Sequence, residues 1–177
     1  MDIYTLGHST LSIQDFLAII KEYEIEIIVD VRSQPYSKKN SQFNQKYFEK
    51  WLNKAGYDYL HLEELGGRRP YNKEVSSDLF DGWDKQIFRN YASYTFSDNY
   101  KKAIEKLIRL SKEKTIAIMC ANFLPWNCHR LLIANTLTFK NLNVVHIVKK
   151  DKLIEHELGM YGARTIIKDD EIIYPKV

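Results

Sequence analysis

Short β-branched and apolar runs alternate with stretches of helical periodicity along the whole chain, and few folds accept that order. The runs are DIYTL (2–6), IEIIVDV (25–31), YDYLHL (57–62), TIAIMC (115–120) and NVVHIV (143–148). Between the first two, Ser12 stands where a helix cap belongs, with Ile13, Phe16, Leu17 and Ile20 at one-face spacing behind it. A second helix carries Phe48, Trp51, Leu52 and Ala55 on one stripe and stops at Gly56. Two more are expected between the third and fourth runs, one over 83–91 and one capped by Ser97 with Tyr100, Ala103, Ile104 and Leu107 inward. The tail TIIKDDEIIYP predicts a small hairpin turning at Asp169-Asp170. Strands alternating with helices predict one Rossmann-like α/β domain over residues 1–177, with a mainly parallel five-stranded sheet and helices on both faces.

The bulk numbers exclude little else. A chain of 177 residues builds one proper core, and 45% apolar with 28% charged residues is ordinary for a water-exposed globule. A net charge of +3 is too small to imply a nucleic-acid partner by itself. No stretch is long and apolar enough for a bilayer, and MDIYTLGHS lacks the basic-then-apolar order of a signal peptide. With only two cysteines, a reducing cytoplasm without a stable disulfide is the expected setting.

In such sheets ligands bind outside the carboxyl ends of the strands. The first strand ends in Gly7-His8-Ser9 and the second in Asp30-Val31-Arg32; the third leads to LGGRRP, and the fourth ends at Cys120. Polar chemistry is therefore concentrated at one sheet edge. His8 suits proton transfer near neutral pH; it also suits a loop carbonyl, with Ser9 beside it starting a helix. Asp30 and Arg32 point to the same face, either as a buried ion pair or as a carboxylate base beside an anion-binding guanidinium. Gly66 and Gly67 bring backbone amides close to an oxyanion while Arg68 and Arg69 supply charge, unless the loop is simply solvated.

The stretch CANFLPWNCHRLLIANTL (120–137) holds both cysteines. If Asn127 caps a helix that begins Cys128-His129-Arg130, free amides and Arg130 favour an anion there and lower the Cys128 pKa. Cys120, closing an apolar strand, is then the deeper and less acidic thiol. A small buried hydrophobe is the plainer reading of each cysteine. A phosphatase or rhodanese loop needs arginine six residues after its cysteine, but Trp126 and Ala134 occupy those positions. Metal binding by Cys120, Cys128 and His129, with His8 as a fourth ligand, finds no support in the spacing, since Cys-x7-Cys is not a close pair and no second pair follows. No cofactor is evident from motifs either, because both G-x-G-x-x-G and the Walker loop are missing.

The stretches YTLGHST, IVDVRSQPYSKKNSQFN, YLHLEELGGRRP, IFRNYASY and MCANFLPWNCHRLLIANTL, followed by VVHI and EH, resemble the DUF488 family from residue 4 to 157. The resemblance implies an α/β fold in which His8, Arg32, LGGRR and Cys-x7-Cys-His-Arg form one pattern. One position departs from it: where the family usually reads Cys-Ala-Glu, this chain has Cys120-Ala121-Asn122.

The expected function is an enzyme acting on a phosphate-containing or nucleotide anion. Arg32, Arg68, Arg69, His129 and Arg130 would hold the anion, His8, Asp30 and Cys128 would carry the chemistry, and Ser9, Cys120 and Asn122 would support them. Loss of Arg32 or Arg130 is then expected to weaken anion binding while sparing the fold. Two rivals stand beside it. One is a nucleic-acid-binding module in which Tyr36, Tyr71 or Trp126 stacks on bases, the other a thiol redox or metal-binding protein. No membrane role is expected, and nothing in the sequence specifies an oligomer.

Overall fold

The computed structural model describes residues 2–176. Five parallel strands, β1 (Ile3–Gly7), β2 (Ile27–Asp30), β3 (Asp58–His61), β4 (Ile116–Cys120) and β5 (Val144–Lys149), stand in the order β3-β2-β4-β1-β5. A sixth, β6 (Lys152–Glu155), closes the β5 edge antiparallel, so the sheet is mixed and has one strand more than the sequence pattern suggests. Its run KLIE is short and mostly exposed, which leaves no buried periodicity to read. The alternation of helix and strand otherwise gives the expected layers.

The strands' own alternation divides the core in two. Ile28, Ala117 and Met119 point to one face, where α1 (Ile13–Glu22) and α2 (Gln45–Lys54) cover them with Phe16, Ile20, Phe48 and Leu52. Val29, Ile116, Ile118 and Cys120 point to the other, under α3 (Gln86–Tyr94), α4 (Asp98–Glu113) and α5 (Arg130–Phe139). The caps form as expected: Ser12 Oγ accepts the Asp15 amide at 3.0 Å, and Ser97 Oγ accepts that of Tyr100 at 3.3 Å. Gly56 ends α2 at φ +89°, a conformation that favours glycine. α3 begins three residues later than the pattern suggests, because Trp83 is consumed in the core before the helix starts, packed on Phe88 and Tyr174. β7 (Ile166–Lys168) and β8 (Glu171–Ile173) form the C-terminal hairpin, with Asp169 and Asp170 both at positive φ, as a two-residue turn of this hand requires. Among the described residues no helix is long and apolar enough to cross a membrane.

Candidate functional site

The chain leaves β1 toward β2 on one side of the sheet and leaves β4 toward β5 on the other. Neighbouring strands whose connections diverge leave a crevice between their carboxyl ends. The register puts Gly7 level with Cys120 and Asp30 level with Met119 and His61, so the strands stop together. A cavity of about 330 Å³ opens there, lined among others by His8, Arg32, Arg68, Cys120, Cys128 and His129. Gly7 makes the junction possible, since a Cβ on it would lie 1.9 Å from the Asn122 carbonyl oxygen. That close approach lets the amides of His8 and Ser9 bond the carbonyls of Cys120 and Ala121, at 3.0 and 2.9 Å.

Asp30 does not reach the crevice as a base. It is fully buried and grips Arg32 with both oxygens: Nε donates to Oδ1 at 2.9 Å and Nη2 to Oδ2 at 2.6 Å, while Tyr59 adds a hydroxyl bond at 2.8 Å. The strand alternation that placed both charges on one face made them a pair. Arg32 Nη2 also donates to the Phe43 carbonyl at 2.7 Å, and Nη1 lies 3.2 Å from His8 Nε2. Of the five guanidinium hydrogens, one on Nη1 is left without a partner among the described residues, on a side chain that lines the cavity. Arg32 thus keeps a single donor for an anion.

His8 does not move protons in this arrangement. Its Nδ1–H donates to the Ser9 carbonyl at 2.9 Å, which leaves Nε2 to accept from Arg32, and its ring stacks on Phe43 at 4.3 Å. Burial, and then the Arg32 charge, push its pKa down to about 4, so the ring is neutral. It positions the guanidinium. Ser9 turns the chain at φ +43° and contributes its carbonyl.

The LGGRRP loop packs; it does not form an open anion nest. A Cβ on Gly66 would meet Ser33 Oγ at 2.6 Å, and one on Gly67 would meet His129 Nδ1 at 2.4 Å. Arg69 donates to the carbonyls of Gly66 and Glu63 and lies 4.4 Å over the Tyr94 ring, which makes it a brace for its own loop. Of the loop's two arginines only Arg68 is exposed, at the rim, with its amide on Ser33 Oγ at 2.8 Å and Nη1 on Gln34 Oε1 at 3.2 Å. Gly67→Ala is expected to cost about 1–3 kcal/mol, the usual range for overpacking. A chemical-shift map should show the displacement centred on His129.

The cysteine segment departs from the expected helix start. Pro125–Asn127 is a single 3-10 turn, Cys128 is extended at φ −144° and ψ 150°, and α5 begins only at Arg130 with no side-chain cap. Asn127 therefore does not cap the helix; its carbonyl accepts from the Asn122 side chain at 3.1 Å. Cys128 therefore lies just outside the helix, and its carbonyl accepts the Leu131 amide at 3.0 Å. Nor is Cys120 the deeper thiol: it is 8% exposed against 3% for Cys128. Both are free.

Arg130 is 1% exposed and does not line the cavity, so it offers no open anion contact. Its Nη2 donates to the Asn122 carbonyl and to that of Phe123 at 3.4 Å, and its Nε donates to Cys128 Sγ at 3.5 Å. Among the described residues no carboxylate pairs with it. A buried charge requires a counter-charge, and the Cys128 sulfur is the group in contact that can carry one. Burial pushes the Cys128 thiol up; the Cys120 S–H, the His129 ring and the Arg130 guanidinium outweigh it and leave the thiol well below its ordinary range. The bond to Cys128, and then burial, hold Cys120 well above. Cys120, then His129 and Arg130, set the two thiols apart, in place of helix amides. His129 Nε2 bonds the Val31 carbonyl at 2.9 Å and turns Nδ1 toward Cys128 Sγ at 3.5 Å. The three ligand-type atoms of Cys120, Cys128 and His129 lie within 4.8 Å of one another, a closeness that their spacing in sequence gave no sign of.

Ser33, Gln34, Tyr36, Ser37 and Ile87 complete the rim. Of the aromatic residues expected to stack on bases, only Tyr36 is there; Tyr71 bonds the Val75 carbonyl and Trp126 packs at a tilt on Tyr161. Asn122 sits exposed at the mouth.

No curated protein and no solved structure matches the chain. The family model described as "Domain of unknown function DUF488" matches residues 12–137. That span holds Arg32, the LGGRRP loop and both cysteines, more than two thirds of the chain, and the protein belongs to the DUF488 family.

Proposed function

We propose that the protein is an enzyme acting on a small phosphate-containing or nucleotide anion, with the Cys128 thiolate as nucleophile at the floor of the crevice. The observation that carries this reading is the buried Arg130, which has no carboxylate partner among the described residues and rests on the Cys128 sulfur. Such a thiolate is a reactive group held in place before substrate arrives. The unpartnered Arg32 hydrogen and the exposed Arg68 supply donors for the anion above it. Asn122 presents a side-chain amide at the mouth, which does not titrate, so the acid–base burden falls on the thiols and His129. A reducing cytoplasm is the setting that keeps two such close thiols free.

Alkylation with iodoacetamide near neutral pH tests this. Cys128 should be modified well before Cys120, and inorganic phosphate or a mononucleotide should slow the reaction. Equal, slow labelling of both thiols would mean two inert core cysteines. Steep salt dependence of oligonucleotide binding without turnover would transfer the crevice to a binding role.

A further inference from the structure

Cys120 arrives from the end of β4, while Cys128 and His129 arrive from the turn before α5; the fold brings together what seven intervening residues keep apart in sequence. His129 Nε2–H is committed to the Val31 carbonyl, so in the neutral ring Nδ1 presents a lone pair to the Cys128 sulfur 3.5 Å away. A thiolate and a ring lone pair at that separation repel unless a proton or a metal ion lies between them. An imidazole anchored through its other nitrogen to a carbonyl is the usual second contact of a metal-binding histidine. The distance fits as well. With Zn–S about 2.3 Å and Zn–N about 2.0–2.1 Å, a tetrahedral ion holds its sulfur and nitrogen ligands roughly 3.5 Å apart. Arg130 Nε–H, 3.5 Å behind the sulfur, is an outer hydrogen bond to a thiolate ligand, and Gly67 leaves the His129 ring room to stay where it is. All three ligand residues line the cavity.

We propose that Cys120 Sγ, Cys128 Sγ and His129 Nδ1 bind one zinc ion whose fourth coordination position faces the crevice. Two thiolates and one imidazole are a donor set that suits zinc. Binding takes both sulfurs as thiolates, so the Cys120 proton passes to solvent and the two sulfur charges balance the ion. The inference rests on the proposed enzymatic reading only for the role of the open position. There the metal would bind the substrate oxygen or a water, and Cys128 would be a ligand and no longer the nucleophile.

The test uses the full chain, purified without chelator and titrated with zinc chloride, with cobalt(II) as a spectroscopic substitute. One equivalent of zinc should be retained or taken up. Cobalt should give the intense visible bands of a tetrahedral ion together with thiolate charge-transfer absorption. Cys120→Ser and Cys128→Ser should each weaken zinc binding by more than about 100-fold, beyond the 10–100-fold typical of losing an outer-shell partner. Failure to bind zinc, a weak octahedral cobalt spectrum, or full affinity in Cys128→Ser would overturn the proposal. The cobalt spectrum of the unaltered chain decides the matter even if a variant does not fold. Zinc bound at one equivalent without turnover of any phosphorylated compound would remove the enzymatic reading and leave the metal site. Selective, phosphate-protected alkylation of Cys128 in a chain that takes no zinc would do the reverse.

Discussion

Asp30→Ala should lower the unfolding free energy by about 3–5 kcal/mol, the cost of stripping one partner from a buried ion pair. Both groups are out of water, at 0% exposure for Asp30 and 6% for Arg32. The carboxylate takes the Arg32 Nε and Nη2 donors, the Arg32 amide at 3.1 Å and the Tyr59 hydroxyl at 2.8 Å. Its removal leaves a guanidinium charge in an apolar layer beside Phe43 and Phe48, where the substituted side chain cannot compensate it. Tyr59→Phe, which removes one hydroxyl from the same carboxylate, should cost about 1 kcal/mol. The double variant Asp30→Leu with Arg32→Met should recover much of the loss, because no orphaned charge remains. Urea unfolding with an unchanged m-value measures all three. A loss below about 1 kcal/mol in Asp30→Ala would show that water reaches the pair and screens it. The same geometry bears on Arg32 and Arg130. Sequence alone suggests anion anchors whose removal spares the fold, yet both are buried and bonded to the chain's own atoms, so substitution of either should destabilise the protein.

The architecture was legible because it rests on periodicities. Ile28 and Val29 take opposite faces as adjacent strand residues must, and Ser12 and Ser97 cap the helices that their spacing announces. β6 was not legible, since Leu153 and Ile154 are too exposed to leave a buried pattern. The place of the crevice followed from strand order: His8, Arg32, Cys120 and Cys128 line it, whereas Asp30 and Arg130 lie outside it. Their roles did not follow. Whether Arg32 faces an anion or an aspartate depends on how many of its five hydrogens the protein already uses, and loop conformations decide that. The Phe43 carbonyl that takes one of them comes from a 3-10 turn between β2 and α2. Asn127 misled for a similar reason. Pro125 starts a tight turn that ends before Cys128, so the residue type of a cap sits where no helix begins. The sulfur–imidazole cluster was hidden because metal motifs are read along the chain, whereas here a strand end supplies one ligand and a distant turn the other two.

Acidification should destabilise the protein through two histidines remote from the crevice. Thr5, His146, His156 and Asn135 form a buried chain, with Thr5 Oγ1 to His146 Nδ1 at 2.7 Å, His146 Nε2 to His156 Nδ1 at 3.0 Å, and His156 Nε2 to Asn135 Oδ1 at 2.9 Å. The amide oxygen at its end only accepts. His156 must therefore donate from Nε2, His146 must donate to His156, and the Thr5 hydroxyl must donate to His146. Each ring is a neutral tautomer with both nitrogens in use, and one extra proton on either would set two donors face to face. Burial, helped by the other histidine and by Arg130, pushes His146 down to about 3; burial alone pushes His156 down to about 4. In the unfolded chain both return to about 6.5. Above pH 6.5 neither state binds the proton and stability is full. Below it the unfolded chain takes up protons that the folded protein refuses, so stability falls with pH until the folded pKa values are reached. Both rings take up a proton in the unfolded chain and neither does in the folded one, so the loss approaches about 2.7 kcal/mol per pH unit, roughly 6 kcal/mol between pH 6.5 and 4. The chain also fastens the C-terminal segment, since Asn135 Nδ2 donates to the Tyr174 hydroxyl at 3.0 Å and Asn135 Oδ1 accepts the Gly159 amide at 3.1 Å. Protection factors of the amides around Tyr174, taken against the intrinsic exchange rate at each pH, should therefore fall first as the pH falls. Thermal melts from pH 7 to 4 should slope downward in the unaltered chain, about half as steeply in His156→Gln, which keeps a neutral side chain at that position at every pH, and flatten in His146→Gln combined with His156→Gln. A slope that survives in His146→Gln combined with His156→Gln would assign the acid sensitivity to other groups.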